Sequence, residues 1–250
     1  MTYDDAGSGP AVLLVHAGPA DRRMWEPQWA ALADRFRVIR CDLRGFGETP
    51  LPPERFSFAG DVVVLLDHLE VERAAVVGSS FGGKVALEVA TVAPDRVSQL
   101  VLLCTAVRGV DPTAAFEAFD KREDALMEAD DRDGFVELNV ATWVGPEADD
   151  DARDLVRTMQ RRSLDVQLAA EASGEAPEAE PVEVDPARID IPTLLVSGGH
   201  DMDFFQQIAE NLAVTMPNAE HLHLPWAGHL PNLERPAEVT QLLLAHLTGD

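Results

Sequence analysis

The stretch that organises the chain spans residues 74–90 and runs Ala74-Ala75-Val76-Val77-Gly78-Ser79-Ser80-Phe81-Gly82-Gly83-Lys84-Val85-Ala86-Leu87-Glu88-Val89-Ala90. Its first half is short and apolar, which is typical of a buried strand. Its second half places Val85, Val89 and Val92 at helical spacing, which predicts a helix packed against that strand. A strand, a Gly/Ser turn and a helix therefore follow one another directly.

The turn between these elements, Gly78-Ser79-Ser80-Phe81-Gly82, matches the pattern G-x-S-x-G. A serine at so sharp a turn holds a strained backbone, and side chains two residues to either side would collide, so glycine fits there. Such a turn exposes the Ser80 hydroxyl and points the Phe81 N–H toward an oxyanion formed on an attacked substrate. Ser79 is a rival nucleophile, but its own frame would need glycine at positions that hold Val77 and Phe81. The pattern therefore favours Ser80.

The composition indicates one domain, or one domain with an inserted lid, because the chain has 250 residues of which 46% are hydrophobic. The net charge of −24 argues against nucleic acids and anionic membranes as partners, since both need a basic footprint. No apolar run approaches the roughly 18 residues that span a bilayer. The N-terminus lacks the basic and apolar blocks of a signal peptide. We therefore expect a cytoplasmic location. We also expect a monomer or homodimer that acts on a small molecule.

The chain has two cysteines, and both end apolar, strand-like runs. Cys41 and Cys104 are therefore predicted to be buried free thiols rather than a disulfide or a metal pair. The sequence shows no other pattern of metal ligands, and we expect a site without a metal.

The order of the remaining elements favours an α/β fold with a mostly parallel sheet. Strands and helices alternate along the chain, which implies helices on both faces of the sheet. Strands are predicted at 11–15, 36–41, 97–104, 191–197 and 220–224, with at most a short edge strand at 1–3, and helices at 25–32, 58–69, 204–214 and 236–247.

The composition of the sequence changes between residues 111 and 188, because this segment holds half of the chain's 44 acidic residues. This segment has no strand-like run. It is predicted to be a helical cap inserted into a core of residues 1–110 and 189–250. Its helices are expected at 114–127, 134–143 (with Asp133 as the N-cap) and 151–170, followed by a poorly ordered connector at 173–187, rich in Glu, Pro and Ala.

Two polar residues follow the late strands, Asp201 after 191–197 and His229 after 220–224. Loops at the carboxyl ends of parallel strands converge on one edge of a sheet. A serine hydroxyl needs a base to take its proton and an acid to orient that base. The chain order Ser80, Asp201, His229 is the one expected on this type of sheet. We predict Ser80 as nucleophile, His229 as general base and then acid, and Asp201 as the group that fixes and stabilises the imidazole.

Rival residues lie close to both positions in the sequence. Asp203 is an alternative acid, and His200, His221 and His223 are alternative bases. His221 and His223 lie inside a predicted strand rather than in the loop after it, which favours His229.

The loop after the first core strand reads His16-Ala17-Gly18-Pro19. The Gly18 N–H there is a candidate second oxyanion donor beside Phe81, and each such donor lowers the barrier by about 3 kcal/mol. His16 itself is expected to brace the loop rather than to react.

Taken together, these motifs resemble those of the α/β-hydrolase fold serine hydrolases over nearly the whole chain, and most closely the group with 3-oxoadipate enol-lactonase and related small carboxylic-ester hydrolases. The resemblance implies a triad of Ser80, Asp201 and His229, oxyanion amides at Gly18 and Phe81, a helical cap that shapes the acyl or lactone pocket, and no cofactor. The matching stretches are Leu14-Val15-His16-Ala17-Gly18-Pro19, Asp42-Leu43-Arg44-Gly45-Phe46-Gly47, Gly78-Ser79-Ser80-Phe81-Gly82-Gly83, Gly198-Gly199-His200-Asp201 and Gly228-His229-Leu230-Pro231-Asn232-Leu233-Glu234-Arg235-Pro236.

The chain departs from the family pattern at two places. Ala17 stands where the family usually has glycine, which is expected to tighten the oxyanion turn. The family's first antiparallel strand is missing or reduced to residues 1–3, which leaves open whether the chain starts at its true first residue. Serine at the elbow argues against the haloalkane dehalogenase and epoxide hydrolase branches, which use Asp there.

The leading hypothesis is hydrolysis of a small carboxylic ester or lactone through an acyl-enzyme on Ser80. An alternative is a C–C bond hydrolase of a dienoic diketone acid, whose site would hold the substrate carboxylate with an arginine. A second alternative is a receptor that binds a small ligand with weak hydrolysis. An aminopeptidase finds no support, because no tryptophan flanks the elbow serine and no pair of cap carboxylates can be picked out among so many surface acids. The candidate arginines for the carboxylate are Arg44, Arg108, Arg157 and Arg161.

Overall fold

The computed structural model of the protein describes residues 1–51, 53–174 and 178–249. Over these ranges, seven strands form one sheet in the order β1-β3-β2-β4-β5-β6-β7. The strands are β1 (Tyr3–Gly7), β2 (Ala11–Val15), β3 (Arg37–Cys41), β4 (Ala74–Ser79), β5 (Val97–Leu103), β6 (Thr193–Gly198) and β7 (Ala219–Leu224). β1 pairs antiparallel with β3, and every other pair is parallel. The predicted α/β-hydrolase fold with its mostly parallel sheet is confirmed.

The helices lie between the strands as the alternation predicts. Apolar residues at helical spacing turn one face of each core helix to the sheet, as in α2, which buries Val62, Leu65 and Leu66. The helices are α1 (Glu26–Ala33), α2 (Phe58–His68), α3 (Phe81–Val92), α4 (Ala114–Glu128), α5 (Arg132–Trp143), α6 (Asp150–Ala172), α7 (Asp203–Thr215), α8 (Pro231–Glu234) and α9 (Pro236–Thr248).

The central strands β2 and β4 lie side by side, and the chain leaves them in opposite directions across the sheet. Val15 at the end of β2 pairs with Gly78 in β4, so both strands reach the same edge together. Such a switch point opens a crevice at the carboxyl ends of the strands, where ligands bind in open α/β sheets. β4 is buried along its whole length, as expected for a strand covered on both faces.

The first strand is longer than the sequence predicts. The expected edge strand of residues 1–3 is wrong, because β1 runs through Tyr3–Gly7 and pairs with β3. Aspartate is rare in strands, so Asp4 and Asp5 hide this strand from a pattern search. The structure accommodates both carboxylates through ion pairs with arginines, Asp4 with Arg40 at 2.8 Å and Asp5 with Arg37 at 2.7 Å.

Between β5 and β6 the chain forms α4, α5 and α6, which we call the cap helices. The expected N-cap Asp133 is wrong: α5 begins at Arg132, and Asp131 caps it by accepting a hydrogen bond from the Gly134 N–H at 2.9 Å. An N-cap side chain reaches the third N–H of the helix, which fixes Asp131 as the cap. In the connector expected at 173–187, residues 175–177 lie outside the described ranges, and a short 3₁₀ helix covers Pro186–Arg188.

Cys41 and Cys104 are both buried and free, as the sequence predicts. In the part of the chain that the structure describes, no helix combines the length and the apolarity needed to cross a bilayer.

Candidate active site

The turn between β4 and α3 holds Ser80 in a strained conformation. Its φ of 51° and ψ of −112° lie where a residue with a side chain is rarely found. Glycine is required on both sides of the turn. A Cβ at Gly78 would lie under 3.0 Å from the Gly82 carbonyl, and one at Gly82 would meet the Val15 carbonyl as closely. The elbow is therefore locked against its own helix and against the end of β2.

The structure brings the three residues proposed from the sequence into one hydrogen-bonded chain. The Ser80 Oγ lies 2.7 Å from Nε2 of His229, and Nδ1 of the same ring lies 2.8 Å from Oδ2 of Asp201. Asp201 is oriented in turn by the Met202 N–H, which donates to its Oδ1 at 2.7 Å. A hydroxyl, an imidazole and a carboxylate in this order provide the geometry of a serine nucleophile with its base and its orienting acid.

The rival residues lie elsewhere. The Ser79 side chain is fully buried behind the elbow, and Asp203 accepts a hydrogen bond from Thr113 at the exposed start of α7. His200 is exposed to solvent. His221 and His223 both contact Ser197 Oγ, on β6, instead of Ser80.

The imidazole of His229 packs against two aromatic rings. Its centroid lies 4.7 Å from the Trp143 ring at the end of α5 and 4.2 Å from the Phe205 ring on α7. Only 1% of His229 is exposed, although the neighbouring cavity reaches its ring. The two aromatic rings also contact each other, with centroids 5.7 Å apart, and their packing restrains the imidazole so that both nitrogens keep their hydrogen-bond partners.

The predicted oxyanion residues face each other across the elbow. A Cβ built on Gly18 would touch the Phe81 side chain at 3.9 Å, and both residues line the cavity that contains Ser80. Phe81 is the first residue of α3, so its N–H has no acceptor within the helix.

The loop that carries Gly18 is braced from behind, as the sequence predicts for His16. The buried His16 ring accepts a hydrogen bond from the Leu43 N–H at 3.0 Å, and its other nitrogen lies 2.8 Å from the Ala17 carbonyl oxygen. Burial lowers the pKa of His16, which favours the neutral ring that this brace requires. Ala17 fits this turn fully buried.

Sequence reasoning missed one residue of the site, Glu234. Its buried carboxylate accepts the Gly228 N–H at 2.9 and 3.0 Å, directly before His229, and also hydrogen-bonds the backbone of Gly145 at the end of α5. Burial raises the pKa of Glu234 above its ordinary value, against the opposing effect of these backbone donors. The available signal was an acidic residue five positions after His229. Glu234 joins the histidine loop to the cap helices.

Cys104, Asp201 and His229 place potential metal-ligand atoms within 4.8 Å of one another. Burial raises the pKa of the Cys104 thiol well above its ordinary value, with the Asp201 carboxylate adding to the effect. A cysteine binds a metal as its thiolate, which the raised pKa disfavours. Both nitrogens of His229 already have hydrogen-bond partners. The donor set therefore suits a triad better than a metal, and the metal-free site stays a prediction.

A cavity of about 330 Å³ opens from Ser80 and His229 toward the cap helices. Its wall on the side of α7 is aromatic, with Phe204 and Phe205. A larger depression of about 610 Å³ lies around Arg44 and His68, and no member of the hydrogen-bonded chain lines it. The cavity at Ser80 is therefore the candidate substrate site.

The four arginines considered as carboxylate partners lie outside this cavity. Arg44 pairs with Asp61 at 2.5 Å, Arg157 with Glu137 at 2.5 Å, and Arg161 with Asp133. Arg108 lies 4.0 Å from the exposed Glu183. Among the described residues that line the cavity, none is a lysine or an arginine.

Comparison with known proteins agrees with this geometry. The family model of the alpha/beta hydrolase fold matches residues 10–236. The crystal structure of the enol-lactonase from Burkholderia xenovorans LB400 superposes with a TM-score of 0.82 at 27% identity, over 99% of this chain and 96% of that one.

Two curated relatives carry different names. Carboxylesterase YbfK of Bacillus subtilis is 28% identical over 96% of this chain and 81% of its own length. A putative non-heme bromoperoxidase, BpoC of Mycobacterium tuberculosis, is 28% identical over 98% of this chain and 96% of its own. The same fold hosts several chemistries, so the activity has to be argued from the site.

Proposed function

Because the chain belongs to the α/β-hydrolase fold family, we propose that it is a serine hydrolase that cleaves a small carboxylic ester or lactone through an acyl-enzyme on Ser80. One observation carries the proposal: the hydrogen-bonded chain of Ser80, His229 and Asp201 opens into a cavity. The esterase and lactonase names among the relatives support the same reaction class.

In the first half of the reaction, Ser80 Oγ attacks the carbonyl carbon while Nε2 of His229 takes the hydroxyl proton. The carbonyl oxygen becomes an oxyanion, and the N–H groups of Gly18 and Phe81 donate hydrogen bonds to it. The tetrahedral intermediate collapses, and the alkoxide leaves with the proton that His229 carries. The acyl group is then bound to Ser80.

In the second half, a water molecule gives a proton to His229 and attacks the acyl carbon. The acid is released, and the proton returns to Ser80 Oγ. Asp201 keeps Nδ1 of the ring protonated and stabilises the imidazolium in both halves. The residues 111–188 act as the cap that encloses the acyl or lactone pocket.

The two alternative functions from the sequence analysis make different demands on the site. A C–C hydrolase of a dienoic diketone acid would use the same triad, but none of its four candidate arginines reaches the cavity. A receptor with weak hydrolysis predicts binding without efficient turnover. The expectations of a cytoplasmic location, of no nucleic-acid or membrane partner and of a monomer or homodimer stay predictions.

The test is turnover of a short p-nitrophenyl ester by Ser80→Ala, with Ser79→Ala as the matched control. We expect Ser80→Ala to lose activity by about 10⁴-fold or more with an unchanged melting temperature. Ser79→Ala removes a neighbouring buried hydroxyl outside the cavity and should retain turnover. Retained activity in Ser80→Ala would overturn the proposal.

A further inference from the structure

The cap helices line the cavity with aromatic residues, Phe116, Phe119 and Trp143, and also with a group of polar residues. The polar residues come from all three helices, so this part of the wall exists only when the helices pack together. We call it the cap wall. Its residues are Asp120 and Glu123 on α4, Asn139 on α5, and Gln160, Ser163 and Gln167 on α6.

Two side chains of the cap wall are buried without a partner. Gln160 is 8% exposed and Ser163 is 2% exposed. Gln160 Oε1 and Ser163 Oγ make no hydrogen bond with any described residue. Buried polar atoms are nearly always satisfied, and one left unpaired destabilises the fold. The two residues that carry these atoms line one cavity and lie three positions apart on α6, hence on one face. This placement points to a ligand that supplies the missing partner.

The charge of the cap wall selects the kind of partner. Asp120 and Glu123 are both carboxylates, and the described lining residues include no lysine or arginine to balance them. Lys121, on the same helix, pairs with the exposed Glu117 instead. An anionic substrate would enter this cavity against two like charges, whereas a cation would meet two opposite ones.

Glu123 is held in place relative to the reacting atoms. Its Oε1 accepts a hydrogen bond from Asn139 Nδ2 at 2.6 Å, and Asn139 Oδ1 accepts one from Trp143 Nε1 at 2.8 Å. The Trp143 ring packs against His229. A substrate group bound at Glu123 therefore lies at a fixed position with respect to Ser80.

We propose that the substrate is an ester or lactone that carries a protonated amine, and that the cap wall binds the ammonium through Glu123, Gln160 and Ser163. An ammonium offers three N–H donors, and these three side chains offer three oxygen acceptors. The inference rests on the proposed serine hydrolase function and names its substrate class.

A hydroxyl group would satisfy fewer of these acceptors and would leave the carboxylates uncompensated. Burial raises the pKa of Glu123, and the neighbouring Asp120 and Asp124 raise it further. A bound cation offsets this repulsion and a neutral hydroxyl does not. The charge pattern thus favours the ammonium.

The test compares p-nitrophenyl esters of straight-chain acids that differ only in the terminal group: ammonium, methyl, hydroxyl or carboxylate. Chain length is varied, and a second series carries the terminal group on the alcohol part. Values of kcat/KM are measured for the wild type, for Glu123→Gln and for Asp124→Asn, which removes a neighbouring carboxylate outside the cavity. Ser80→Ala gives the background rate.

We expect the wild type to prefer the ammonium ester over the methyl ester by about tenfold at the best length, and to disfavour the carboxylate ester. Glu123→Gln should abolish this preference by lowering the rate for the ammonium ester more than the rate for the methyl ester, while Asp124→Asn should retain the preference. Equal rates for the ammonium, hydroxyl and carboxylate esters, or an equal fall for all esters in Glu123→Gln, would overturn the inference. Failure of every ester to exceed the Ser80→Ala background would instead overturn the proposed function.

Discussion

The elbow and the cap wall face one cavity, but they are built in opposite ways. At the elbow, atoms crowd so closely that a Cβ at Gly78 or Gly82 would overlap neighbouring backbone. In the cap wall, Gln160 and Ser163 bury oxygens that no described residue satisfies. The packing around the elbow leaves no room for larger side chains, although Ser79 Oγ there is also buried without a described partner. The cap wall differs because its two residues with unpartnered oxygens line the cavity.

This difference suggests that the elbow carries out the reaction and that the cap wall determines which substrate binds. The elbow, with its strained φ at Ser80, can be held only by a rigid sheet edge. The cap wall buries oxygens without a protein partner where we propose that the substrate binds, and this lowers the stability of the fold, as functional sites commonly do. Changes in the core are therefore expected to alter kcat or folding, and changes in the cap wall to alter the choice of substrate.

The largest effect is expected from Asp201→Asn. The amide cannot stabilise the imidazolium, and it favours the wrong tautomer of His229, so kcat should fall by about 10³- to 10⁴-fold. Asp203→Asn is the matched control, since Asp203 accepts a hydrogen bond from Thr113 at the surface, and it should stay within about twofold of the wild type. Comparable losses in both variants would contradict the assignment of Asp201.

The packing of the elbow is tested by Gly82→Ala. The added methyl group would collide with the Val15 and His16 carbonyls, and we expect the free energy of unfolding to fall by about 3 kcal/mol or more. The control is Gly109→Ala, at a φ of 79° with no atom within 4 Å, which should cost about 1 kcal/mol for backbone strain alone. Denaturant titration measures both, and equal losses would show that crowding does not lock the elbow.

The link between the His229 loop and the cap helices is tested by Glu234→Gln. The amide keeps one acceptor for Gly228 and Gly145 but introduces an N–H₂ group next to backbone donors. His229 should lose its exact position, with a fall of about tenfold in kcat and little change in KM. A fall in melting temperature at full kcat would assign Glu234 to stability alone.

The smallest effect is expected from Gln160→Leu in the cap wall. The leucine removes a buried oxygen that has no partner, so the free energy of unfolding should rise by about 1 kcal/mol while the preference for an ammonium ester falls. Chemical denaturation with and without substrate analogues checks this. Destabilisation by leucine would show that Gln160 is satisfied in the free protein.

The sequence predicts the core better than the cap, for physical reasons. The motif G-x-S-x-G lies between a strand and a helix whose apolar residues repeat with different periods. The loops of Asp201 and His229 follow recognisable strands, so the candidates for the site could be named. β1 was predicted too short because Asp4 and Asp5 oppose strand propensity and depend on distant arginines.

The cap wall could not be predicted from the sequence. Its residues lie on three helices, and a pattern of polar residues on an acidic helix normally indicates a solvated face. Only the packing of α4, α5 and α6 shows that Gln160 and Ser163 are turned inward and buried. Glu234 was missed for a related reason, since its partners Gly145 and Gly228 are far apart in sequence.

The central claim, that Ser80 is the nucleophile, is tested most directly by labelling the protein with a fluorophosphonate probe and mapping the modified peptide by mass spectrometry. We predict one covalent adduct, on Ser80, that is absent from the Ser80→Ala variant and unchanged in Ser79→Ala. An adduct on Ser79, or an active protein that the probe leaves unlabelled, would contradict the account.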